Sequence, residues 1–132
     1  MESLPAAATD QDILLAVERW IDDLAEGRYH VAFERTAHDP YYRWTPDLMR
    51  SVVQGYGLPE PHPRGSFEVT DRTSAAGGRV FEIERDETSP EVIAFVSHNL
   101  PLNGEWSDLT VTFRLEARVG HSELVLEEIH VF

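Results

Sequence analysis

The clearest pattern in the chain is a strict alternation of apolar and polar residues from Leu109 to Val119. A two-residue period is that of a β-strand, in which successive side chains point to opposite faces of the sheet. The apolar set is Leu109, Val111, Phe113, Leu115, Ala117 and Val119, and the polar set is Thr110, Thr112, Arg114, Glu116 and Arg118. We therefore expect this strand to place its apolar face against the core.

Four further strands are predicted around it, over residues 67–73, 79–85, 92–98 and 122–131. The segment 92–98 is apolar on both faces, which is typical of a central strand. Asn103-Gly104 predicts the turn that leads into the long alternating strand. In the last strand the apolar parity changes at Glu127-Glu128, so a β-bulge there is expected to restore the inward face and to curve the sheet.

Three helices are predicted before the strands. The first helix begins after a capping Thr9 or Asp10 and ends at Gly27. Its apolar stripe comprises Ile13, Leu14, Val17, Trp20, Ile21 and Leu24. A second helix is expected over residues 29–36, and Thr45-Pro46 begins a third. Residues 1–8 are expected to fray. The order of elements predicts a single α+β domain, 1–132, with three N-terminal helices packed on a curved, mainly antiparallel sheet of about five strands.

Composition narrows the range of functions. The chain has 24 acidic and 11 basic residues, a net charge of -13, and such a surface repels nucleic acids and anionic membranes. All the basic residues are arginines, which excludes catalysis through a lysine Schiff base, and there is no cysteine to form disulfides or ligate metals. No signal peptide and no span long enough to cross a bilayer is visible, so a cytoplasmic protein without a cofactor is expected.

The element order resembles that of the nuclear-transport-factor-2-like fold, a cystatin-like cone. The residues that carry the resemblance are Trp20–Leu24, Glu26–Tyr29, Ala32-Phe33, Thr45–Val53 and Leu124–Val131; Leu100–Thr110 with Glu128–Val131 resembles uncharacterised bacterial members. The resemblance implies a conical pocket between helices and sheet, a small apolar ligand, and a homodimer through the outer sheet face. It implies no reaction, because members include isomerases, dehydratases, cyclases and interaction modules.

The ketosteroid-isomerase-like branch suggests a catalytic set. There an Asp-Pro before the third helix is a general base, and Asp39-Pro40 is similar in position. Tyr41, Tyr42 or His98 could then donate a hydrogen bond to the developing oxyanion. The sequence departs from this branch because Trp20 stands on the first helix where a tyrosine donor is expected, and no second pocket acid can be placed. The alternatives are that Asp39 starts a turn before proline and that His98 is a hydrogen-bonded strand end.

Other side chains are candidates for ligand binding. Trp20 and Tyr41 could line the cone, Trp44 and Trp106 suit a pocket rim or a partner surface, and Glu82 faces either the pocket or solvent. His38 and His62 show no metal-site spacing, so no metal is predicted.

Three functions remain open from these observations. The first is a non-catalytic module that binds a small molecule or a protein. The second is a cofactor-free isomerase or lyase with Asp39 as base, and the third is an acidic immunity or accessory protein that masks a basic partner.

Overall fold

The computed structural model describes the whole chain, residues 1–132, as three helices and one six-stranded sheet. The helices are α1 (Asp10–Ala25), α2 (Tyr29–Arg35) and α3 (Pro46–Gln54), and the strands are β1 (Leu4–Pro5), β2 (Ala37–His38), β3 (Phe81–Arg85), β4 (Val92–Leu102), β5 (Glu105–Ala117) and β6 (His121–Val131). The sheet curls into a half-barrel with the helices on one face. The predicted α+β class is confirmed, and its shape is consistent with a cone.

The helix ends follow from their capping residues. The Thr9 hydroxyl accepts from the Asp12 N–H and the Asp12 carboxylate accepts from the Thr9 N–H, which is a complete capping box for α1. Beyond its end, Gly27 has a φ of 76°, a conformation that favours glycine. Thr45 caps α3 and Pro46 occupies its first turn, as predicted. None of the three helices is long and apolar enough to cross a bilayer.

The sheet is antiparallel in the order β1-β6-β5-β4-β3, and β2 adds to β6 in parallel. Asn103 and Gly104 form the two-residue turn between β4 and β5, with φ angles of 50° and 86°. Two positive φ angles match the twist of the flanking strands, which makes this hairpin tight. β3 lies at one edge of the sheet.

The predicted β-bulge lies at Glu127. Thr112 pairs with Glu128, but the next residue, Phe113, pairs with Leu126, so Glu127 has no partner on β5. The extra residue lets Leu126 and Ile129 both face the core although their parity differs.

The inner face of the sheet packs against the helices. Trp20 of α1 meets Phe113 of β5 edge to face at a centroid distance of 5.3 Å, and both side chains are fully buried. The alternating face of β5 is buried from Leu109 to Leu115 as predicted. Val119 was expected on that face but is 99% exposed, because β5 ends at Ala117 and residue 119 lies in the turn to β6.

Residues 1–8 were expected to fray, but the structure holds them in place. Leu4 pairs with Ser122 in β6 and is buried, and Ala8 is buried as well. The Glu2 carboxylate forms ion pairs with Arg35, at 3.1 Å, and with Arg19. Strand pairing, apolar burial and these two ion pairs together fix the segment.

The prediction of a strand over residues 67–73 is also wrong. Only Val69 forms a β-bridge, to Leu102, and the segment then turns where the Asp71 carboxylate accepts hydrogen bonds from the Thr73 N–H and hydroxyl. Such a local side-chain turn competes with strand pairing.

Substitution of Gly55 tests how tightly the loop after α3 is packed. A Cβ at this position would lie 1.9 Å from the Leu58 carbonyl oxygen and 2.3 Å from that of Glu60, whereas a Cβ at Gly78 would meet nothing within 4 Å. We expect Gly55→Ala to lower the free energy of unfolding by about 2–3 kcal/mol, since backbone atoms must move. Gly78→Ala, the matched control, should change it by less than about 1 kcal/mol. Urea denaturation measures both, and equal midpoints would contradict this packing.

Candidate functional site

The space between α1 and the sheet, where the resemblance implies a pocket, is filled by side chains. Trp20, Ile13, Ile21 and Phe113 are all fully buried there. None of the five main surface pockets is lined by a residue of α1. Trp20, predicted to contact a ligand, is therefore a core residue in this structure, and its indole Nε1 has no hydrogen-bond partner.

Asp39 lies on the outer side of the sheet. Its carboxylate accepts a hydrogen bond from the Tyr41 N–H at 2.8 Å and forms an ion pair with Arg114 at 2.7 Å. Both contacts, the backbone hydrogen bond first, lower the pKa of Asp39 below its usual value. A carboxylate with a lowered pKa is a weak proton acceptor, and the contacts are those of a turn before proline.

The aromatic residues after Asp39 have different surroundings. The Tyr42 hydroxyl donates to the Glu128 carboxylate, which raises the pKa of Tyr42 to about 12. Trp44 is buried and donates from Nε1 to the carbonyl oxygen of the bulged Glu127 at 2.9 Å. Tyr41 is 82% exposed and contacts the Tyr42 ring. Tyr42 and Trp44 therefore fasten this segment to β6, and neither lines one of the main pockets.

His98 lies on the opposite side of the sheet from Asp39 and Tyr42. It shares the buried face of Ala94 and Val96, and its Nδ1 lies 2.6 Å from the Asn99 carbonyl oxygen, to which it can donate. Its Nε2 is buried without a partner, so a second proton would find no acceptor. Burial is the main reason that the pKa of His98 is lowered to about 4. The positive charges of Arg79 and Arg72 lower it further, whereas the hydrogen bond to the Asn99 carbonyl raises it. The three predicted catalytic side chains are not brought together.

The outer face of the sheet carries two neighbouring depressions. Together we call them the sheet groove: a depression of about 460 Å³ and a neighbouring one of about 320 Å³ that share Glu82, Ser97 and Phe132. The groove is lined by Val80, Glu82, Glu84, Phe95, Ser97, Asn99, Thr110, Thr112, Glu127, Glu128, His130 and Phe132, and the buried residues Val96 and Phe113 also border it. Phe95 is 41% and Phe132 is 77% exposed, so apolar surface lies among the polar groups.

The charge of the sheet groove is negative. Glu82 and Glu84 are exposed and neighbour each other on one face of β3, and neither forms an ion pair. Glu127 lies 3.5 Å from Arg114, but burial outweighs that contact and raises the pKa of Glu127. Glu128 lies 2.7 Å from His130 Nδ1 and accepts from Tyr42. Four carboxylates thus surround the groove, and Arg114 is shared with Asp39 and Glu116.

β3 also leaves one side of its backbone free. The Asp86 N–H bonds the Ile93 carbonyl and the Asn99 N–H bonds the Val80 carbonyl, so the even-numbered residues of this segment face β4. The N–H and C=O groups of Phe81, Ile83 and Arg85 therefore point away from the sheet, and no other segment bonds them. An exposed strand edge of this kind can accept another strand.

Among the predicted ligand-binding residues, Glu82 lines the sheet groove and Trp106 lines a separate pocket that also contains Tyr56 and Phe67. Sequence reasoning missed Phe95, whose opposite parity to Ala94 and Val96 could have placed it outward. It also missed the pocket at Tyr56, because no periodic pattern links a loop after α3 to a hairpin fifty residues later.

No group of three His, Cys, Asp or Glu side chains is arranged to hold a metal ion. Comparison of the chain with models of protein families, with curated proteins and with solved structures finds no match in any of the three. Membership of the nuclear-transport-factor-2-like superfamily stays a prediction.

The buried His98 predicts a pH dependence of stability. Its pKa is about 4 in the fold and about 6.5 in an unfolded chain, so only the unfolded state gains a proton as the pH falls between these values. This stability is fully present above about pH 6.5 and is lost towards pH 4. Between about pH 7.5 and 5.0, the wild type should lose about 2 kcal/mol more than His98→Leu.

Urea denaturation at the two pH values measures this difference. His30, which is exposed, supplies the control variant His30→Gln, and it should lose as much as the wild type. An equal loss in His98→Leu and the wild type would mean that His98 is not buried in its neutral form.

Proposed function

We propose that this chain is a non-catalytic protein-interaction module that binds a basic, extended segment of a partner protein in the sheet groove. The observation that carries the proposal is the pair of unpaired carboxylates, Glu82 and Glu84, beside exposed Phe95 on a sheet whose other face is filled. A groove with apolar surface and a few polar groups of one sign suits a ligand that is apolar and cationic.

The free edge of β3 supports an extended partner. Glu82 and Glu84 are two residues apart, so their side chains repeat about every 7 Å along the strand. A strand added beside β3 would present its own alternate side chains at the same spacing. Arg or Lys at those positions would face the two carboxylates, while the backbone would bond the free groups of Phe81, Ile83 and Arg85.

The same charges discriminate against a second copy of this chain. A two-fold symmetric interface places each patch opposite itself, so a dimer through this face would set the acidic groove near its copy. Like charges that face each other cost free energy, and charged residues on an edge strand prevent pairing between identical edges. The homodimer implied by the resemblance is the competing hypothesis.

The surroundings of the candidate catalytic residues favour binding over catalysis. A general base and its electrophilic partner must reach one substrate. Asp39 and His98 lie on opposite faces of the sheet and line none of the main pockets.

A labelled peptide in which Arg and Val alternate tests the proposal by fluorescence anisotropy. We expect it to bind the wild type and to bind less at high salt, because exposed charges are screened within about 10 Å at 0.1 M salt. The double variant Glu82→Gln/Glu84→Gln should weaken binding about tenfold, the sum of two ion pairs of about 0.7 kcal/mol each.

Two controls make the test specific. Glu34→Gln/Glu60→Gln removes the same charge from exposed positions outside the groove and should leave the affinity near that of the wild type. N-methylation of every second peptide residue should abolish binding in the phase that faces β3 and spare it in the other phase. If both double variants weaken binding equally, the interaction depends on net charge and not on the groove. If the wild type is a dimer in ultracentrifugation and Phe95→Glu dissociates it, the homodimer hypothesis is favoured instead.

A further inference from the structure

We infer that a second site, built by the loop after α3 and the β4–β5 hairpin, binds a small zwitterion whose ammonium group carries alkyl substituents. We call it the aromatic pocket; it encloses about 490 Å³ and includes Tyr56, Phe67, Arg64 and Trp106. It shares no residue with the sheet groove, so this inference does not depend on the proposed function.

Aromatic rings from three segments meet at this pocket. The Tyr56 and Phe67 rings lie 4.9 Å apart, the His62 and Phe67 rings 5.1 Å apart, and Trp106 adds an indole from β5. Ring faces attract cations, and Trp and Tyr are the best of them for a quaternary ammonium. His62 Nδ1 accepts from the Arg64 N–H at 3.0 Å, which fixes the imidazole ring beside Phe67.

The charged groups of the pocket have no partners within the protein. Eight of the eleven arginines form ion pairs: Arg19, Arg28, Arg35, Arg72, Arg79, Arg85, Arg114 and Arg118. Of the other three, Arg50 lies over the Tyr29 ring, Arg43 lines none of the five main pockets, and Arg64 lines the aromatic pocket. Glu105 and Asp108 line the same pocket, and neither lies within 4.0 Å of a basic group.

A free guanidinium and two free carboxylates in one aromatic pocket match a ligand that carries both signs of charge. The carboxylates and rings suit an alkylated ammonium, and the guanidinium can bind a carboxylate through two parallel hydrogen bonds. A purely cationic ligand would leave Arg64 repelling it, and a purely anionic one would face Glu105 and Asp108.

The pocket wall is held in shape before any ligand arrives. Tyr56 has a φ of 54°, an uncommon conformation for an aromatic residue, and its hydroxyl accepts from the Asp108 N–H at 3.3 Å. Gly55 packs against the carbonyls of Leu58 and Glu60, which closes the start of the loop. A rigid wall lowers the entropy lost on binding, and backbone strain is often found at ligand sites.

Glycine betaine is the probe, with tetramethylammonium and acetate as its two halves. In ¹H–¹⁵N NMR titrations of the full chain, betaine should shift the Trp106 indole N–H signal and bind at least about fivefold more tightly than either half, since a charge-assisted bidentate contact adds to the cation–π attraction. Arg64→Gln should weaken betaine about tenfold and should not weaken tetramethylammonium, from which it removes a repelling charge. Arg43→Gln, which removes the same charge elsewhere on the surface, should change neither.

Every other outcome overturns the inference. If tetramethylammonium binds as tightly as betaine, the site binds cations only and Arg64 has no role. If acetate binds as tightly as betaine, the aromatic rings have no role. Shifts that spare Trp106, or an Arg64→Gln variant that binds betaine like the wild type, would place the ligand elsewhere. Trp106→Leu should weaken betaine and tetramethylammonium by about the same factor, about fivefold, with its fold checked by circular dichroism.

Discussion

The extra residue at Glu127 is the constraint on which the two faces of the sheet depend. A strand with an unbroken two-residue period cannot bury both Leu126 and Ile129, and the bulge resolves that conflict. It also sets Glu127 and Glu128 side by side on the outer face, where one lies near Arg114 and the other accepts from Tyr42. The same bulge therefore completes the core on one face and adds two carboxylates to the groove on the other.

A filled inner face determines where function can reside. Trp20 and Phe113 fill the space between α1 and the sheet, and the side chains that could form an acid–base pair are divided between the two faces. Asp39 and Tyr42 each have a partner on the outer face, and His98 is neutral on the inner one. Asp39, Tyr42 and His98 therefore contribute to stability, because each is either paired or buried. The unpaired charged side chains remain as candidates for recognition.

The periodic parts of the fold could be predicted from the sequence because their signals are local. The stripe from Ile13 to Leu24, the cap at Thr45, the Asn103-Gly104 turn and the parity change at Glu127 each specify one element. The site could be predicted only in part. Glu82 lies on the outer face of the sheet and not in a cone, and the neighbours of Glu82 and Trp106, such as Phe95 and Tyr56, come from residues distant in sequence. Tertiary contacts also override local composition where Glu2 and Leu4 hold an Ala-rich segment that looks free to fray.

The distribution of arginine separates the two surfaces by chemistry. An acidic chain that pairs eight of its arginines internally neutralises selected carboxylates and leaves the others exposed. Near the sheet groove Arg114 is already shared among Asp39, Glu116 and Glu127, and Arg85 is paired with Asp10, so Glu82 and Glu84 have no ion-pair partner within the chain. In the aromatic pocket Arg64 is itself uncommitted, so that site can bind both signs of charge. The first surface therefore presents uncompensated negative charge and the second presents both signs of charge, although both belong to one strongly negative molecule.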